Sequence, residues 1–130
     1  MRNHIMIMLI AALFLMAGCA SAKDNPTTLS KLYSGNLEKV TKVNIVDGGT
    51  GEEKEFIEAA DIQPWIEQVQ HIVLKPHPNQ EERDGFRYAI TMYEGNKQML
   101  SFSLGKIGKT YYVVDQDMLD LTVQLWSNHK

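Results

Sequence analysis

Apolar residues recur along the chain at three spacings, and each spacing predicts a different kind of element. Residues 5–17 form an unbroken apolar run with no charge. Phe86, Tyr88, Ile90 and Met92 alternate with Arg87, Ala89 and Thr91, the period of two that gives a strand one buried face. Leu100, Phe102 and Leu104 alternate in the same way with Met99, Ser101 and Ser103. Between the two patterns, Glu94, Gly95, Asn96 and Lys97 read as a hairpin connection. Ile62, Trp65, Ile66 and Val69 fall on one helical face, with Asp61 placed to cap the helix and Pro64 tolerable in its first turn. Behind a second cap residue, Asp115, a stripe of Met118, Leu121, Thr122 and Leu125 predicts a final helix, broadened by Leu119 and Trp126.

Weaker signals complete the picture. Residues 43–46 predict a short strand, ended by the glycine-rich turn 47–51, and residues 52–56 a second, weak one. Ile72, Val73 and Leu74 predict a buried strand closed by Pro76 and Pro78, and residues 110–114 a third strand of the meander. Strand, helix, meander and helix in that order predict an α+β fold: an antiparallel sheet of four to five strands with two helices packed on one face.

The first apolar run is of a different kind. It follows Arg2 and spans 13 residues, enough for the core of a signal peptide and short of the roughly 20 that cross a bilayer. It ends in Leu15, Met16, Ala17, Gly18 and Cys19, and Cys19 is the single cysteine of the chain. These residues resemble the lipobox of bacterial lipoproteins of the Gram-positive type, in which Leu, a small residue and Gly or Ala precede the Cys. Met16 stands where Leu is commonest. The resemblance implies a signal peptide over residues 1–18 and cleavage between Gly18 and Cys19. It further implies a diacylglyceryl thioether on Cys19, with palmitate-type chains holding the protein on the extracytoplasmic face of the cell membrane. Two such chains suffice for stable anchoring. A cysteine without a partner excludes a disulfide framework within the chain.

Downstream of Cys19 the sequence is small and polar, and residues 19–38 read as a lipidated flexible tether in which Leu29, Leu32 and Tyr33 begin to dock. Residues 39–130 then make one α+β domain. Over the whole chain 13 Lys+Arg face 16 Asp+Glu, a net charge of -3 that argues against nucleic acid as a partner. Cleavage would remove only Arg2 among the charges and leave the body more acidic still.

Chemistry-bearing motifs are sparse. His77, Glu81, Glu82 and Asp84 share one polar loop with metal-compatible side chains, but not the spacing that sets two imidazoles on one helical face. Gly48, Gly49, Thr50 and Gly51 lack the phosphate-loop pattern, and Glu52 and Glu53 come directly after them. No nucleophile elbow surrounds Ser101 or Ser103. The expectation is therefore a protein that is not an enzyme and needs no cofactor: a non-catalytic interaction module for a protein or cell-envelope ligand. Its candidate binding surface is the sheet face carrying Tyr93 and Tyr112, with Arg87 beside it. The alternative is a small enzyme or metal-dependent factor built on loop 77–84.

Overall fold

The computed structural model describes residues 25–128. The expected signal peptide, Gly18 and the lipidation position Cys19 lie outside the described residues. Among the described residues, one antiparallel sheet of six strands and three α-helices make an α+β fold, with one strand more than the upper expectation. In chain order the elements are α1 (Leu29–Leu32), a 3-10 turn (Leu37–Lys39), β1 (Lys42–Asp47), β2 (Glu53–Phe56) and α2 (Ala59–Val69). They continue with β3 (Tyr88–Glu94), β4 (Lys97–Ser103), β5 (Lys106–Ile107), β6 (Thr110–Tyr111) and α3 (Gln116–Asn128). The sheet order is β2-β1-β3-β4-β5-β6.

Register explains the core. Val43 pairs with Met92 and Met92 with Leu100, while Ile45 pairs with Ile90 and Ile90 with Phe102. Each row places apolar side chains of three neighbouring strands on one sheet face, because side chains in register share a side of the pleat. Val43, Ile45, Ile90, Met92 and Phe102 join Ile62, Trp65, Ile66 and Val69 of α2 and Met118 and Leu125 of α3 in one buried cluster, and the half-buried Leu100 packs against it. The helices are tied across it by the Trp65 indole, whose Nε1–H donates to Thr122 Oγ1 at 3.3 Å. Thr122 in turn donates to the Met118 carbonyl at 2.8 Å, so the fully buried hydroxyl is satisfied on both sides.

Four expectations are corrected. The stretch read as a tether to residue 38 is part of the domain from Thr27 onward: Leu29 is fully buried, and Tyr33 and Leu37 are core residues. The cause is sparse patterning, since the few apolar side chains here stand among small and polar residues with a proline, yet Leu29, Tyr33 and Leu37 each join the buried cluster. Second, α2 starts at Ala59 after Glu58, so Asp61 sits in its first turn, not at its cap, and Pro64 lies inside the helix. Third, Ile72, Val73 and Leu74 make no strand; only Leu74 is buried, in an isolated bridge with Thr27. Fourth, the alternation at Phe86 does not bury it. The strand begins at Tyr88, and Phe86 is 44% exposed. Asp115 does cap its helix, accepting the Met118 N–H at 3.0 Å.

The N-terminal segment is latched as well as packed. Tyr33 Oη–H donates to Glu94 Oε2 at 2.7 Å, across 61 residues of sequence, and the Asn36 N–H reaches the same oxygen at 3.3 Å. Gly35 permits this approach, because a Cβ there would run into the Glu94 carboxylate. Burial first, and then the bond and negative charge of Glu94, push the Tyr33 phenol well above its ordinary range.

Candidate functional site

The sheet changes character at its β6 end. There the ladder shortens to two-residue strands, and the chain beyond β6 is held by isolated bridges and side chains. Pro76 bridges Tyr112, the His77 N–H donates to the Tyr111 carbonyl at 2.8 Å, and the Val113 N–H donates to the Lys75 carbonyl at 2.8 Å. The side chain of Gln80 takes the place of a peptide group. Its Oε1 accepts the Tyr111 N–H at 2.9 Å, and its Nε2–H donates to the carbonyls of Tyr111 at 2.8 Å and His77 at 2.7 Å. An edge that would otherwise offer free backbone is thereby covered.

Tyr111 is the post around which loop 77–86 is wound. Its hydroxyl accepts the Arg83 N–H at 2.9 Å and donates to the Arg83 carbonyl at 3.1 Å. The Arg83 guanidinium lies 4.3 Å from the centre of the Tyr111 ring, and the Lys106 ammonium 4.9 Å from it. Two cations held on one aromatic ring are fixed in direction. The guanidinium also donates to the Asn79 carbonyl at 2.7 Å. On the other flank the backbone of Phe86 is pressed against Gly48, whose N–H donates to the Arg87 carbonyl at 2.7 Å; a Cβ on Gly48 would collide with the Phe86 carbonyl.

Between these flanks runs a groove of about 490 Å³. Its floor and shelf are Tyr112, Val113, Val114 and Phe86, and its polar rim holds Arg83, Lys106, His77 and Asp84. Val113 and Val114 are each 48% exposed, so the shelf is apolar surface left in water. No known protein family, curated protein or solved structure matches the chain. The chemistry of the groove is therefore that of its own residues.

The three residues expected to form a binding surface are divided by the fold. Tyr112 lines the groove; Arg87 follows the groove residue Phe86 in the chain but is not among the lining side chains, and its guanidinium lies 5.7 Å from the Tyr88 ring centre. Tyr93 is the penultimate residue of β3, about 20 Å of extended chain beyond Arg87. It belongs to the outer sheet face, where the Lys42 ammonium sits 4.2 Å from its ring centre and 3.5 Å from Glu55. That face is polar along its length: Asn44 donates to Glu53, and Thr91 and Ser101 share a hydrogen bond of 3.0 Å.

Loop 77–84 does not gather its metal-compatible groups. His77 Nδ1 is occupied by the Asn79 N–H at 3.0 Å, and Glu81, Glu82 and Asp84 are exposed. Among the described residues no three His, Cys, Asp or Glu side chains converge on a common point. Sequence reasoning missed Arg83, Lys106, Phe86, Val113 and Val114 as a group. The only signal was a pair of adjacent valines just before a helix cap, which is as well explained by a strand.

Proposed function

We propose that this chain is a lipid-anchored extracytoplasmic protein whose folded domain is a non-catalytic binding module, with the groove at the β6 end as its binding site. Support for the anchor is the lipobox-like run ending at Gly18 and Cys19. What carries the binding reading is a groove built in advance, with an apolar shelf uncovered beside two cations already oriented by Tyr111. Such a site suits a ligand with an apolar body and a negative group, because burying the body supplies affinity and the cations supply direction. A preformed site also avoids the ordering cost that a floppy loop would incur on binding.

Anilinonaphthalene sulfonate, an aromatic sulfonate, is a suitable probe of that chemistry. The full chain should bind it with saturable fluorescence enhancement at one site. Val114→Ser and Arg83→Ala should each weaken binding about tenfold while far-UV circular dichroism stays unchanged. Equal binding by all three proteins would remove the groove as the site. The anchor is tested separately, by the intact mass of the membrane-fraction protein beside Cys19→Ala. A lipid adduct on a chain starting at Cys19, lost in the variant, is the expected result.

A further inference from the structure

The geometry points to a ligand for this groove that is supplied by the anchor itself: the anionic surface of the bilayer in which the lipid of Cys19 sits. This rests on the lipid-anchor reading above. Three observations lead to it.

The first is where the folded domain begins. Thr27 exchanges backbone hydrogen bonds with Leu74, at 3.0 and 2.7 Å, one residue from the Lys75 carbonyl that receives Val113. From Cys19 to Thr27 there are eight residues, a reach of at most about 28 Å. The chain therefore enters the domain beside the groove, and a lipid on Cys19 keeps that end within this distance of the membrane.

The second is the distribution of exposed apolar surface. Among the described residues the exposed large hydrophobic side chains are Ile57, Val73, Phe86, Val113 and Val114. Four of these five lie at the end where the chain enters. Val73 adjoins the Thr27 bridge, and the other three line the groove. Scattered single apolar residues need no partner, but a cluster beside a membrane tether meets the apolar side of a headgroup layer.

The third is charge. The sheet order puts β2 at the opposite edge, with Glu53 and Glu55 on it and Glu52, Glu58 and Asp61 beside it. Arg83 and Lys106 outnumber Asp84 on the groove rim, although Glu81 and Glu82 also belong to the loop. Asp115 also follows Val114 directly, so the groove end carries both signs, with Arg83 and Lys106 on its rim, while the β2 edge is the more uniformly acidic one. With the groove toward an anionic leaflet, the β2 edge points to the solvent, where it is least repelled. Phe86, Val113 and Val114 then seat at the level of the headgroups, and Arg83 and Lys106 meet lipid phosphates.

The test uses the full chain, purified from membranes and returned to vesicles of phosphatidylcholine with one third phosphatidylglycerol. Lipidation occupies the single native thiol, so Val114→Cys and, in a separate protein, Glu53→Cys each give one site for a bimane probe. Lipids bearing a nitroxide in the headgroup region should quench the probe at 114 several-fold more than the probe at 53. Phe86→Ser and Val113→Ser together should abolish the difference without releasing the protein from the vesicles. Equal or absent quenching on a lipidated chain overturns the docking and leaves the anchor standing. A pairwise association in detergent that Val114→Asp abolishes would assign the shelf to a second copy of the chain and overturn the docking as well. If intact mass shows no lipid, the anchor reading fails. Docking is then decided by sedimentation of the unlipidated chain with the same vesicles. It survives if sedimentation occurs and is lost in Phe86→Ser, and falls if none occurs.

Discussion

The centre of the sheet and its β6 end solve the same problem, keeping strands paired and water out, with different means. At the centre, β1, β3 and β4 pair along continuous registers of four or more residues, and every second side chain enters the common core. At the β6 end only three paired positions join β4, β5 and β6, and side chains stand in for the missing backbone: the amide of Gln80, the hydroxyl of Tyr111 and the carboxyl of Asp115. The first arrangement yields stability. The second yields a surface whose shape is fixed while its apolar groups stay in water.

The largest effect that sharpens this contrast comes from truncating the centre. Ile90 is fully buried between Ile45 and Phe102. Ile90→Ala should cost about 2–5 kcal/mol in urea unfolding, with the slope unchanged, whereas Val114→Ala should stay within about 0.5 kcal/mol. Similar losses for the two would erase the distinction. Next in size is Leu29→Ala. If the N-terminal segment is core, it should also lose about 2–5 kcal/mol. A tether residue would lose almost nothing, so the same unfolding curve decides where the domain begins.

Gln80→Ala should act locally. It removes the acceptor of the Tyr111 N–H and a donor to the His77 carbonyl, while the Tyr111 carbonyl keeps the His77 N–H, at a cost of about 1–3 kcal/mol. Amide exchange at Tyr111 and along loop 77–86 should therefore speed about tenfold for each 1.4 kcal/mol, while exchange at Ile90 hardly moves. Uniform acceleration throughout the chain would mean that the end and the centre open together.

The smallest effect concerns the latch between Tyr33 and Glu94, and it appears only in alkali. The folded phenol holds its proton above the ordinary tyrosine range of about 10, where the unfolded chain has released it. Stability from this group is complete below that range and declines as pH rises through it, because the unfolded state then binds fewer protons. Tyr33→Phe should make the alkaline decline shallower than in the wild type. An identical decline in both proteins would show that the latch does not contribute.

The same contrast explains how much the amino-acid sequence disclosed. Period-two alternation announces β3 and β4, and the helical stripes announce α2 and α3, because a repeating environment selects a repeating residue type. Legibility ends where the environment stops repeating. Leu29, Tyr33 and Leu37 stand four residues apart, but no single helix carries all three, and each joins the core from a different stretch of backbone. Val113 and Val114 look like strand interior when read along the chain, yet Val113 pairs with Lys75 and Val114 faces Gly105, contacts set by distant segments. The groove is harder still to foresee, since Arg83, Lys106 and Phe86 meet only after the loop has closed on Tyr111. Arg87 and Tyr112 were visible as candidates; that Tyr93 lies at the other end of β3 was not, because the strand's length, not its composition, separates them.

The short bridge at Thr27 also governs how the domain responds to tension. A pull delivered through the N-terminal chain loads two backbone hydrogen bonds to Leu74 before anything else. Those bonds can open without disturbing the main sheet. Load then passes to the buried side chain of Leu29 and to the Tyr33–Glu94 bond, which grips the far hairpin between β3 and β4. The domain thus has a weak first catch and a stronger second one, and gives up a few residues of slack before its core is strained.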